Sequence, residues 1–430
     1  MTVRTLDDWL AHAERVHPVG IDMGLVRVRR VAERLELLPP APQNIVVAGT
    51  NGKGSTSVYL EALLLADGRS VGTTLSPHLS RFNERVRVNG RSVDDATLCD
   101  AFATIEDARG ETTLTYFEFG VLAALLVFRR ARVDATVLEV GLGGRLDAVN
   151  IVDGSVSVIT SIGIDHVGYL GTDRESIGRE KAGILRRRVP CVYGEASIPS
   201  SIVVAAQMIE APMTRYGTDF SAAPTEEGWS FEGVCTSART CFTELARPSV
   251  ALCNAATALQ TLLLLGASRP IERLVEEASS ARLPGRFERF DYRGASVIVD
   301  VAHNPHGAAF LAQQLRATPP SGRTIAIAGF LQDKDAAGIV AALAPVVDEW
   351  TLVPTLGLRG QSAALSMEKS GLVGRAAVSE GDLVDVLDGW VRRMAAGDRL
   401  IVVGCFDLAQ RARSLLLREA ELLREAERRD

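Results

Sequence analysis

The stretch Gly49-Thr50-Asn51-Gly52-Lys53-Gly54-Ser55-Thr56 packs glycines, a lysine and hydroxyls into one turn's length. Glycines let backbone N–H groups approach an anion closely, a helix N-terminus adds positive potential, and the lysine supplies a point charge. That combination binds phosphate. The spacing departs from the common G-x-x-x-x-G-K-[ST] loop: two residues separate Gly49 from Gly52, and a glycine follows Lys53. Farther on, Ser76 precedes Pro77-His78, Glu139 precedes Gly141-Leu142-Gly143-Gly144-Arg145-Leu146-Asp147, and Asp165-His166 follow a third apolar run. Magnesium takes oxygen ligands together with phosphate and water, and Ser76 and Glu139 are such donors. Each residue also has a plainer reading: Ser76 as a turn residue, Glu139 as a capping or ion-paired carboxylate, His166 as a structural histidine. Their shared placement favours the site.

That placement depends on the elements that carry them. Short β-branched runs at 44–48, 71–75, 135–140, 156–161 and 189–193 alternate with helical patterns at 55–66 and 117–130. Strands apolar on both faces and separated by helices predict a parallel, doubly wound sheet. Ligands of such sheets gather at the carboxyl ends of the strands, where these residues fall. The stretch 213–245, rich in Gly, Ser, Thr and aromatics, is expected to form a small antiparallel excursion before helical periodicity resumes at 250–265. Leu283-Pro284-Gly285 reads as a hinge. Strand patterns restart at 296–301, 324–329, 349–354 and 399–404, and 414–430 reads as a solvated helix. The expected fold is α/β. An N-terminal P-loop domain with a doubly wound, mostly parallel sheet spans 1–282, a linker 283–289, and a smaller C-terminal Rossmann-like domain 290–430.

Composition agrees. At 430 residues and 47% hydrophobic content the chain has ample material for two cores, which excludes global disorder. Lys plus Arg total 47 against 53 Asp plus Glu, a net charge of -6, which argues against a general nucleic-acid binder. The six cysteines include no C-x-x-C pair, so neither a zinc ribbon nor a disulfide framework is indicated, and free thiols suit a reducing cytoplasm. The N-terminus is charged and amphipathic, and the apolar runs 121–128 and 262–265 are too short to span a bilayer. A cytoplasmic monomer with no membrane or nucleic-acid partner is expected.

Several segments resemble a known family. Gly49–Ser55, Ser76-Pro77-His78, Thr115-Tyr116-Phe117-Glu118, residues 139–150 and Arg179-Glu180-Lys181-Ala182-Gly183-Ile184 are similar to bacterial dihydrofolate synthase/folylpolyglutamate synthase. So are Pro284-Gly285-Arg286-Phe287-Glu288 and Asp300-Val301-Ala302-His303-Asn304-Pro305, and the segments occur in family order over most of the chain. That family belongs to the Mur ligase superfamily of ATP-dependent amide ligases.

The resemblance implies roles. Thr50, Asn51, Gly52, Lys53, Gly54 and Ser55 would hold ATP phosphates, with Asn254, Arg286, Asp300 and His303 at the same nucleotide. Ser76 and Glu139 would hold one magnesium. Glu139, His166 and a carbamylated Lys181 would hold a second, making Lys53, Glu139, His166 and Lys181 the catalytic set. Lys181 has a plainer reading as a surface lysine. Ile21, Asp22, Met23, Thr115, Phe117, Glu118, Leu146, Asp147 and Ala148 resemble the pterin-binding segments. There Phe117 stacks on a ring or belongs to the core, and Asp22 has a helix N-cap as its alternative. Cys405 stands where relatives often carry Ser, and Val149 where Thr is common.

The implied reaction adds L-glutamate to 7,8-dihydropteroate and to reduced folates. ATP first converts the acceptor carboxylate to an acyl phosphate, and closure of two domains over the hinge would keep water out. A different Mur-type ligase is the first alternative, against which Thr115–Glu118 and Arg179–Ile184 speak. The second is a non-catalytic nucleotide switch, for which the chain lacks a guanine-reading N-K-x-D segment.

Overall fold

The computed structural model describes residues 4–235, 238–292 and 294–427. The chain divides into two compact units, Met1–Arg282 and Leu283–Asp430.

The first unit is built on eight strands: β1 Gln43–Ala48, β2 Val71–Thr74, β3 Val86–Val88, β4 Arg91–Ser92, β5 Ala135–Glu139, β6 Val156–Ile159, β7 Cys191–Tyr193 and β8 Met213–Arg215. Their spatial order is β4-β3-β2-β5-β1-β6-β7-β8. All neighbours from β2 to β8 are parallel, while β3 runs antiparallel to β2 and β4 to β3. Because side chains alternate faces, each strand feeds two cores. Ile45 and Val47 enter one and Val46 and Ala48 the other; Val137 and Leu138 divide in the same way. The helix Lys53–Ala66, the helix Leu252–Leu265 and a three-stranded antiparallel sheet cover one face. The helices Asp95–Arg109 and Tyr116–Ala131 cover the other.

That small sheet, β9 Ser221–Pro224, β10 Trp229–Cys235 and β11 Ala238–Leu245, is shorter than the excursion expected at 213–245. Met213–Arg215 instead extends the main sheet, paired in parallel with β7. The antiparallel region begins only where Phe220 turns into the core beneath β10.

The second unit holds β12 Glu288–Tyr292, β13 Ala295–Val299, β14 Thr324–Ala328, β15 Glu349–Leu352, β16 Ala377–Val378 and β17 Arg399–Val403, ordered β12-β13-β17-β14-β15-β16. Five are parallel, and β12 is an antiparallel edge that starts inside the stretch expected to be linker. The last helix, Phe406–Glu427, begins earlier than the charge pattern indicates. Its first turns are not solvated: Leu408, Ala409, Ala412 and Leu416 are buried. Residues 428–430 of the expected helix lie outside the described residues. Among the described residues no helix is long and apolar enough to cross a membrane.

Candidate active site

The phosphate loop leaves β1 at Gly49 and enters the helix Lys53–Ala66. Gly52 caps that helix with φ 84°, a left-handed backbone that favours glycine, and a β-carbon there would lie 2.6 Å from Asn254 Oδ1. At Gly49 a β-carbon would fall 1.9 Å from Thr160 Oγ1. The loop is therefore pressed between β6's end and the helix Leu252–Leu265, which places Asn254 against it. Thr50 N–H donates to the Ser161 carbonyl (2.8 Å) and Thr50 Oγ1 to the Gly163 carbonyl (3.0 Å). Thr160 Oγ1 donates to the Asn51 carbonyl at 2.6 Å. Lys53 Nζ curls back to the carbonyls of Gly49 (3.1 Å) and Thr50 (3.3 Å), while Ser55 and Thr56 are buried in the first turn.

Ser76 and Glu139 lie at the ends of neighbouring strands β2 and β5, which brings them together. Ser76 N–H donates to Glu139 Oε2 at 2.9 Å, and the Ser76-Pro77 peptide is cis. Glu139 is buried, and Ser76 Oγ is buried without a hydrogen-bond partner. Arg85 shares this corner. Burial holds its guanidinium below its ordinary pKa, opposed by Tyr116, Glu139 and Glu84. Arg85 Nε donates to His78 Nδ1 at 2.8 Å, so that nitrogen is the acceptor and the ring proton sits on Nε2. Burial and Arg85 push the His78 pKa down to about 4, leaving the ring neutral.

Lys181 is not on the surface. It is buried on the helix Arg174–Ala182, and its Nζ donates to the Gly49 carbonyl at 2.8 Å. Burial, and then Lys53, push its pKa down to about 7, opposed by Asp165 and Asp147. The helix is held by the 141–150 loop: Arg145 N–H donates to the Glu180 carbonyl (2.8 Å), and Asn150 Nδ2 to the carbonyls of Arg145 and Gly183 (3.0 Å each). Asp147 accepts from Leu142 N–H (2.8 Å) and Val149 N–H (3.0 Å), which fixes Leu146 and Ala148 on either side. Burial pushes its carboxyl up to about 6, opposed by those N–H groups and by Lys53. His166 stands apart in burial: it is exposed and precedes the short helix Val167–Leu170, its N–H bonded to Asp165 Oδ1 at 2.8 Å. Among the described residues no three His, Cys, Asp or Glu side chains converge on a cation-sized site.

The other expected substrate residues meet at the start of the helix Tyr116–Ala131. Thr115 caps it and Glu118 closes the capping box, with Thr115 N–H donating to Glu118 Oε2 at 2.7 Å. Phe117 is half-buried, and its ring lies over Gly141. Asp22 caps no helix. Its Oδ2 meets Arg27 Nη1 at 2.6 Å and His17 Nε2 at 3.0 Å, between exposed Ile21 and half-buried Met23.

In the second unit, Asp300 is buried at the end of β13, accepting from Phe287 N–H and Ala302 N–H, each at 2.8 Å. Burial pushes its carboxyl pKa up, opposed by Arg286, those two N–H groups and His303. Phe406 gathers the rest: the Arg286 guanidinium lies 5.0 Å from its ring centre and the His303 ring 5.6 Å.

Comparison with known proteins shows which family the chain belongs to. A family model described as the Mur ligase middle domain matches residues 47–194, and one described as the Mur ligase glutamate ligase domain matches residues 285–406. A dihydrofolate synthase/folylpolyglutamate synthase of Escherichia coli (strain K12) is 45% identical over 405 residues, 93% of each chain. This chain belongs to the dihydrofolate synthase/folylpolyglutamate synthase family of Mur ligases. The solved structure of E. coli FolC in complex with DHPP and ADP superposes with a TM-score of 0.90 at 43% identity, covering 96% of this chain and 97% of that one. A bifunctional folylpolyglutamate synthase/dihydrofolate synthase with Mn, AMPPNP and L-glutamate bound gives a TM-score of 0.87 at 43% identity, covering 96% and 98%.

Within this dihydrofolate synthase/folylpolyglutamate synthase framework, three polar residues at the site escape sequence reasoning. Arg85, Arg27 and His17 sit in no phosphate-like motif, and their spacing from Glu139, Asp22 and Thr113 follows neither the helix nor the strand period. An isolated arginine or histidine is the only signal, and it is too common to select them. Cys405 also gains a physical role. Its buried Sγ accepts from Leu408 N–H at 3.4 Å, a capping contact at the start of the last helix.

Proposed function

We propose that this chain is an ATP-dependent ligase that joins L-glutamate to 7,8-dihydropteroate and to reduced folates. The observation that carries the reading is the buried Lys181 amine on the phosphate loop's Gly49 carbonyl, in a chain whose full-length relatives were solved with nucleotide, DHPP and L-glutamate. The acceptor carboxylate attacks the γ-phosphorus of ATP, the bond to the β,γ-bridging oxygen breaks, and ADP leaves. The glutamate amine then attacks the acyl carbon, loses a proton, and expels phosphate. Phosphoryl transfer is chiefly positioning and charge stabilisation. Lys53 and the N–H groups of residues 52–55 hold the transferring phosphates, with Asn254 beside the same loop. Asp147 and Phe117 orient the acceptor's flat ring, the first as a hydrogen-bond acceptor and the second by stacking.

The oxygen donors fit magnesium. Ser76 Oγ is buried without a hydrogen-bond partner beside the buried Glu139 carboxylate, so these two would hold the ion that neutralises phosphate charge. A second ion would be held by Glu139, His166 and Lys181. A pKa of about 7 leaves much of the Lys181 amine neutral and nucleophilic at physiological pH, as carbamylation by carbon dioxide requires. The carbamate turns a buried cation into an anionic oxygen donor. Glutamate- and magnesium-dependent ADP release by the purified protein tests the reading, with dihydropteroate and a reduced folate supplied separately. Release with both is expected; release with neither overturns it.

A further inference from the structure

Arg27 lies outside every motif that points to the reaction, yet it touches two residues assigned to the acceptor. Its Nη1 donates to Asp22 Oδ2 at 2.6 Å and its Nη2 to the Asp22 carbonyl at 2.7 Å. The same Nη2 stands 3.3 Å from Oε1 of Glu118, whose other oxygen takes the Thr115 N–H. One guanidinium thus ties the segment before its own helix, Val26–Arg34, to the N-terminus of the helix Tyr116–Ala131. His17 braces Asp22 from the other side, with Nε2 on the carboxylate at 3.0 Å and Nδ1 on Thr113 Oγ1 at 2.9 Å.

The two tethered segments each place an apolar side chain over one glycine loop. A β-carbon at Gly141 would lie 2.5 Å from Phe117 Cζ, and one at Gly143 would lie 3.7 Å from Met23 Cε. Met23 follows Asp22 in sequence, and Phe117 precedes Glu118, so both walls are anchored through Arg27. We infer that Arg27 is a positioning residue for the acceptor, setting how Met23 and Phe117 stand over the 141–144 loop to admit a flat heterocycle. The inference rests on the reading of these segments as the acceptor site. A planar fork reaches the Asp22 carboxylate, the Asp22 carbonyl and Glu118 together, whereas a lysine ammonium is a single point of charge.

Steady-state kinetics of Arg27→Ala and Arg27→Lys, varying dihydropteroate and ATP in turn, test this. In Arg27→Ala the KM for dihydropteroate is expected to rise about tenfold, equivalent to about 1.4 kcal/mol. The KM for ATP is expected to stay within about twofold. Arg27→Lys should fall between Arg27→Ala and the parent. A merely structural role would instead lower the melting temperature and impair use of both substrates alike, and that result overturns the inference. So does an unchanged dihydropteroate KM in Arg27→Ala. If Arg27→Ala does not fold, Arg27→Lys carries the same comparison, and equal changes in both KM values overturn the inference. A parent protein inactive with either acceptor overturns the functional reading and the inference together. An active parent with an unaltered variant overturns the inference alone.

Discussion

At the carboxyl edge of the first sheet, Lys53 and Lys181 both donate to the Gly49 carbonyl, so two amines share one backbone oxygen. At the carboxyl edge of the second sheet, Asp300 accepts two backbone N–H groups, and Asn304 caps the helix Pro305–Ala317 through Gly307 N–H. Both regions bury ionisable groups, but they compensate them differently. In the second, local backbone donors answer the charge. In the first, burial and the neighbouring Lys53 lower the proton affinity of Lys181, with Asp165 and Asp147 opposing. Two amines drawn to one carbonyl of a phosphate loop suit a polyanion, whereas a carboxylate satisfied by backbone N–H groups shapes its own turn.

The largest expected effect breaks the first region. Lys53→Ala should lower glutamate-dependent ADP release by roughly a thousandfold, the upper scale for losing one preorganised transition-state donor. Glu139→Ala should lower it comparably, and normal turnover in either variant would remove the site assignment.

The next effect is on stability. Lys181 has its pKa lowered from 10.5 to about 7. Below pH 7 folded and unfolded chains both hold the proton, and the cost of the buried cation is present in full. Between pH 7 and 10 the unfolded chain binds the proton and the folded chain has released it, so folding stability rises with pH. Urea unfolding of Lys181→Met across that window should show a flatter rise than the parent. An equal slope in both would mean that Lys181 is not the group responsible.

Asp300→Ala probes the second region. Leaving the N–H groups of Phe287 and Ala302 unpaired in a buried turn should cost about 2–4 kcal/mol in denaturant unfolding. No loss would mean that the turn does not depend on this carboxylate. The smallest effect is at Cys405, whose thiol is a weak cap for Leu408 N–H. Cys405→Ser should stabilise the protein by about 0.5–1 kcal/mol in the same measurement, as a better N-cap.

Much of this was legible before any coordinates. Apolar runs such as residues 135–139 read as buried strands because both faces of the sheet are covered, and the glycine pattern at 49–54 marked the phosphate loop. The excursion was misplaced at its start, since Met213–Arg215 has the same mixed composition as the strands that follow it. Its parallel pairing with β7 comes from tertiary contact rather than local pattern. The charge pattern marked the last helix only from 414, whereas it starts at Phe406 with Leu408, Ala409 and Ala412 buried, and within the expected stretch Leu416 is buried. At the site, Asp22 carried a cap-like signal, but Arg27 and His17 claim it instead.

The residue order alone determined the alternation of strands and helices, the phosphate loop and the family, because periods of 2.0 and 3.6 and the freedom of glycine are local properties of the chain. Only the tertiary structure decided that Lys181 reaches the Gly49 carbonyl across 132 residues, that the neighbouring Asp147 is buried, and that Arg27 joins two acceptor segments. Burial and charge proximity arise where distant elements pack together. The same lysine that would titrate near 10.5 in water is poised near 7 because of what surrounds it.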